Sequence, residues 1–237
     1  EAIELAVRRE ALLHGDGDFS KSLMIVNTCG WDTDCNSGNL GCLMGIRNGI
    51  EGIDTGPDWR GPVSDICYLP TADAGGGISD AATQARRIVE MGESLAGAPS
   101  DKPKDGARYH FAYAGSVQGF RGHECVVNNL VAPSGSRALA IHFDPKEGGQ
   151  AVHATTGTFV ESRETAKYFE QRGYGLMASP SLNSGQDITA TVCLSKDVES
   201  SIDVAVCIRV FDANNELVTL RDAASTVEPG ETRVLDW

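Results

Sequence analysis

Thr28-Cys29-Gly30-Trp31-Asp32-Thr33-Asp34-Cys35-Asn36-Ser37-Gly38 is the stretch on which the reading of this chain turns. It sets two carboxylates one residue apart, just after a glycine and ahead of a glycine-rich apolar run from Asn39 to Ile50. In an extended turn residues i and i+2 point the same way, so Asp32 and Asp34 can aim their oxygens at one hard cation such as Mg²⁺, which prefers octahedral oxygen ligation. At a helix start the same carboxylates suit the orphan N–H groups of the first turn and the positive end of the helix dipole. Both readings satisfy the spacing. The run that follows predicts a helix with closely approached faces. Interior glycine costs about 1 kcal/mol relative to Ala, and the repeated small residues Ser37, Gly38, Gly41, Gly45 and Gly49 call for a neighbouring helix or a ligand near the backbone.

The wider segment, Gly30-Trp31-Asp32-Thr33-Asp34-Cys35-Asn36-Ser37-Gly38-Asn39-Leu40-Gly41 with Gly45 and Gly49 beyond, resembles the ADP-ribosylglycohydrolase family. Asp58-Trp59-Arg60-Gly61-Pro62 and Leu69-Pro70-Thr71-Ala72-Asp73 look like the continuation seen in large bacterial members. The resemblance implies an all-α catalytic core, cleavage of a glycosidic bond at ribose C1, and a pair of Mg²⁺ ions. Carried over by position, Asp32, Asp34 and Cys35 are the metal residues, and Gly30 and Trp31 are the substrate-binding ones. Cys35 stands where the family usually has Thr or Ser, and a soft thiol matches Mg²⁺ poorly. The family's other half-site, a run of hydroxyl and acidic residues, lies far upstream. Only 29 residues precede Gly30, and Asp16-Gly17-Asp18 among them lacks that pattern. The chain therefore reads as the C-terminal portion of a longer protein, a fragment whose catalytic residues lie upstream.

Composition bounds the rest. At 237 residues, 41% apolar and 22% charged, the chain is an ordinary soluble polypeptide of one large or two small domains. No apolar run approaches the ~20 residues that span a bilayer. A net charge of −13 argues against nucleic acid as a partner, since phosphate binding needs a basic surface. The seven cysteines form no Cys-x-x-Cys and are expected to be buried free thiols, consistent with a reducing, cytoplasmic setting. The four later histidines, His110, His123, His142 and His153, have no zinc spacing.

In order along the chain, Glu1 to His14 predicts an amphipathic helix, and Asp18 or Ser20 caps a short element over Leu23 to Val26. Asp54 to Gly77 reads as a long loop in which Trp59 and Tyr68 either stack on a ligand or anchor the loop. Ser79 or Asp80 caps a further helix, with Ile78, Ala82, Ala85, Val89, Gly92 and Leu95 inside and Arg86, Arg87, Glu90 and Glu93 outside. Residues 98–106 are polar and Pro-rich, and mark a linker between a helical domain over 1–97 and a β domain over 107–237.

Beyond the linker the period changes from 3.6 to 2. Strands are predicted over Tyr109–Tyr113, Val126–Val131, Ala138–Phe143, Gly157–Val160, Tyr174–Pro180, Asp187–Leu194, Ile202–Phe211, Glu216–Leu220 and Thr232–Trp237. Many short strands between such turns predict an antiparallel β-sandwich of jelly-roll type. The fold class is thus multidomain α and β: a partial all-α core followed by a β-sandwich. Residues 181–232 are similar to accessory sandwich modules of bacterial glycoside-acting enzymes, with Trp237, Tyr174, Tyr168 and Phe169 as candidate glycan platforms.

Two functions follow from these residues. The first is a portion of a Mg²⁺-dependent ADP-ribosylglycohydrolase-like hydrolase, acting on an ADP-ribose-containing small molecule or an ADP-ribosylated protein and completed by an upstream fragment. The second is a glycan- or protein-binding sandwich with a non-catalytic helical segment, in which Asp32 and Asp34 only cap a helix.

Overall fold

A computed structural model describes residues 2–69, 74–144, 151–171 and 180–237. They fall into two units, one formed by 2–69 with 78–144 and 151–157, the other by 74–77 with 158–171 and 180–237. No helix among the described residues is long and apolar enough to cross a membrane.

The first unit opens with three helices: α1 (Ala2–His14), α2 (Phe19–Thr28) and α3 (Thr33–Ile53). Gly15-Asp16-Gly17 breaks α1 from α2, and the turn packs tightly, because a Cβ on Gly15 would collide with Ser22 and the Ala11 carbonyl. Asp18 then caps α2, its carboxylate accepting the Lys21 N–H at 2.6 Å. Ala11, Phe19, Leu23, Val26, Leu40 and Met44 form the buried cluster that joins the three helices, with Val7, Ile25 and Ile53 against it.

The predicted close approach along α3 is not what its glycines do. A Cβ at Gly38 would meet nothing within 4 Å, and one at Gly41 would meet only Leu23, at 4.0 Å. Gly49 has a different use: its φ of 67° and ψ of −177° break the helix, a conformation closed to residues with a Cβ. Just before the break, Asn48 donates to the Gly17 carbonyl at 2.9 Å and fastens α3 to the first turn.

The loop after α3 holds a short antiparallel pair, β1 (Ile66–Tyr68) with β2 (Ile78–Asp80). Trp59 anchors it, donating from its indole N–H to the Ser20 hydroxyl at 3.1 Å. Asp80 caps α4 (Ala81–Ala96), accepting from the Thr83 N–H at 2.8 Å. The predicted inner face holds only around the start of α4: Ile78 and Ala82 are buried, whereas Val89 is exposed and Leu95 is 91% exposed. Arg86, expected outside, is partly covered by its bonds to Glu90, Glu93 and the Ser100 hydroxyl.

The same unit contains β3 (Arg121–His123) paired with β6 (His153–Thr155), and β4 (Val126–Val131) paired with β5 (Arg137–His142). The strand expected over Tyr109–Tyr113 is absent. Phe111 has φ 52°, its N–H is held by Gln118, and the Ala112 N–H bonds His110 Nδ1, so the segment curls around its own side chains. Gly157–Val160 likewise joins no ladder.

The second unit carries α5 (Arg163–Gln171), which the sequence reading missed, and β7 (Thr189–Cys193), β8 (Ile202–Val204), β9 (Cys207–Phe211), β10 (Leu217–Arg221), β11 (Ser225–Val227) and β12 (Thr232–Asp236). They pair antiparallel as β7 with β12, β8 with β11 and β9 with β10. The described strands form two-stranded antiparallel ladders, and these small sheets do not by themselves establish the expected sandwich. The strand predicted over Tyr174–Pro180 falls, but for Pro180, outside the described residues, as does Tyr174 itself. No cysteine is paired, yet Cys29, Cys35, Cys42, Cys193 and Cys207 are exposed rather than buried, the last two because they occupy the outward positions of their strands.

Candidate metal centre

The head of α3 is built by three short steps. Helix α2 ends at Thr28, whose hydroxyl returns to the carbonyls of Met24 and Ile25. Gly30 turns the chain with φ 70°, and Trp31 stands 52% exposed beside it. Asp32 then occupies the position before the first helical residue with φ 42° and ψ 53°, a left-handed conformation, and its side chain makes no capping hydrogen bond. Asp32 thus differs from a capping aspartate. A capping aspartate has an extended backbone and bonds an N–H two or three residues on, as Asp18 and Asp80 do here. Asp32 does neither.

Asp34 lies in the first turn of the same helix. One ligand atom from each of Asp32, Asp34 and Cys35 can be grouped so that all three lie within 4.8 Å of one another, and all three residues are exposed. The structure therefore brings together the three residues that the sequence singled out as metal ligands. Two convergent carboxylates suit a hard divalent ion. Cys35 does not suit it. The Asp32 carboxylate first, then Asp34, push its thiol above the ordinary value, so that it holds its proton at neutral pH.

Behind this cluster is a residue that the sequence reading passed over. Asn36 is 0% exposed, and its amide nitrogen donates to the carbonyls of Trp31 and Asp32, both at 3.1 Å. The signal was present: positions 36, 40 and 44 share the core face of α3, and a polar side chain above Leu40 and Met44 needs a reason. Ser37, one residue on, bonds Asn27 at 2.9 Å and ties the head of α3 to the end of α2.

A separate cleft of about 540 Å³ opens at the other end of α3, walled by Asp54, Arg60, Asp65, Phe120, Arg121 and Asn128. Arg60 bonds the Ala114 carbonyl at 2.9 Å and pairs with Asp54 and Asp65, while Asp65 accepts from Ser116 at 2.7 Å. Those bonds fasten residues 114–117 to the loop after α3. None of Asp32, Asp34 and Cys35 lines the cleft.

Residues 1–98 match the family model described as ADP-ribosylglycohydrolase. No curated protein and no solved structure matches the chain. The family match covers all of α1 to α4 and the cluster at the head of α3, and it supports a glycohydrolase-type function. That family is generally metal-dependent, and the acidic cluster lies within the matched residues.

Proposed function

We propose, taking the ADP-ribosylglycohydrolase match over residues 1–98 as the premise, that this chain forms part of a Mg²⁺-dependent hydrolase that cleaves the glycosidic bond at ribose C1 of an ADP-ribosylated substrate. The observation that carries the proposal is Asp32: at the head of a helix, it makes no capping bond and sits beside Asp34. In this reading both carboxylates hold the metal, and the thiol of Cys35 lies at the edge of the shell as a soft, poorly matched ligand. A bound Mg²⁺ neutralises developing charge and orients the ribose hydroxyls and a water molecule. Trp31 offers an exposed ring for the ribose or adenine to lie against, and Gly30 keeps the backbone beside it open. Mg²⁺ requires about six oxygens. The two carboxylates supply only some of them, leaving the others to water, substrate and further protein oxygens. The antiparallel ladders of the second unit then belong to an accessory sandwich that contacts glycan or the substrate's protein.

Isothermal titration of Mg²⁺ tests the assignment. The protein should give a binding isotherm that ADP-ribose strengthens and Asp34→Ala abolishes. Unchanged Mg²⁺ binding in Asp34→Ala would refute the ligand assignment.

A further inference from the structure

We infer that Asn36 is the positioning residue of this centre: it holds Asp32 in the left-handed conformation in which its carboxylate lies beside Asp34 and Cys35 instead of capping α3. The inference rests on the metal reading above and adds a residue to it. Left-handed backbone costs Asp less than most residues with a Cβ, yet holding it as the single conformer calls on the surroundings. The surroundings of Asp32 are specific. The Asp32 carbonyl accepts twice from Asn36, from the backbone N–H at 3.1 Å and from the side-chain amide at 3.1 Å, while the same amide nitrogen takes the Trp31 carbonyl. One buried side chain thus fixes two consecutive peptide units of the turn Gly30-Trp31-Asp32.

The other end of Asn36 shows what this arrangement costs. Its Oδ1 is buried and has no hydrogen-bond partner among the described residues. A buried acceptor without a donor is destabilising, and an apolar residue on that face, in line with Leu40 and Met44, would remove the penalty. Asn also has a poor helix propensity. Neither packing nor helix formation calls for this residue, whereas the amide's two donors match the two carbonyls before α3. Asn36 touches no substrate or reacting atom in this account and acts only through Asp32.

The experiment compares Asn36→Ala and Asn36→Leu with the wild-type protein by two readouts. In the metal-free protein, ¹³Cα shifts and backbone couplings at Asp32 report the sign of φ; we expect Asp32 to leave the left-handed region in both variants, while thermal unfolding midpoints fall little or rise. Mn²⁺ affinity, read by the loss of the free-ion electron paramagnetic resonance signal, should weaken about tenfold or more, the scale on which groups behind a metal ligand act. Asn36→Asp, which is isosteric but offers no donor when ionised, should behave like Asn36→Ala. Asp32 retaining positive φ in both variants would overturn the inference, and so would unchanged Mn²⁺ affinity. Absence of Mn²⁺ binding in the wild-type protein would instead refute the metal reading itself, and with it any role for Asn36 at a metal.

Discussion

At the residue scale the centre depends on which side chains are spent on the helix and which are not. Asp18 and Asp80 are spent: each has an extended backbone and accepts an N–H of its own helix. Asp32 is not, and that difference was invisible in the sequence, because all three aspartates precede an apolar helical run. The carboxylate pair was legible from its spacing alone. Asn36 was not singled out, because its role lies in a turn geometry that no period of apolar residues encodes. Cys35 gives a direct check on the chemistry. Replacing its protonated thiol with the hard hydroxyl of Thr should tighten Mg²⁺ binding roughly tenfold and weaken Cd²⁺ binding by a similar factor, read by competition calorimetry. Equal effects on both ions would place position 35 outside the shell.

At the element scale, helices were read best where a cap and a period agreed. Helix α2 follows Asp18 and α4 follows Asp80, as expected. The inner face of α4 was read correctly at Ile78 and Ala82 but not further along, where Val89 and Leu95 are exposed and Arg86 is partly covered by its pairs with Glu90 and Glu93. Helix α5 was missed although Ser162 accepts from the N–H groups of Glu164 and Thr165, a capping signal present in the sequence. Among the strands, β4 was found residue for residue, whereas β3 was not among those predicted, because Arg-Gly-His carries no apolar alternation. Two substitutions measure what holds the helical part. Asp18→Ala should cost about 1 kcal/mol through loss of the cap. Leu40→Ala, at the centre of the three-helix cluster, should cost about 2–5 kcal/mol. Chemical denaturation followed by circular dichroism at 222 nm reads both, and a smaller effect for Leu40→Ala than for Asp18→Ala would show that the cluster is not the core.

At the scale of the whole molecule, the sequence conveyed a helical beginning and an antiparallel remainder, and the family match spans the former. It did not convey how the strands assemble, since alternation fixes a strand's two faces but not its partners. Stability of the first unit should also depend on pH through His110. Burial holds its pKa below the ordinary 6.5, and its Nδ1 accepts the Ala112 N–H, which requires that nitrogen unprotonated. The unfolded chain therefore binds this proton more readily than the folded one. Stability is retained above the ordinary value and is lost as pH falls from there through the lowered folded value. The urea midpoint should drop over that interval, and less so in His110→Gln; an equal drop in both would assign the loss to other groups. The claim on which the whole account rests is that Asp32 and Asp34 share one hard cation. Anomalous diffraction from a crystal grown with Mn²⁺ tests it most directly. The account predicts a peak about 2.1 Å from an oxygen of each carboxylate. A peak elsewhere, with the Asp32 carboxylate bonded to the N–H groups of α3, would contradict it.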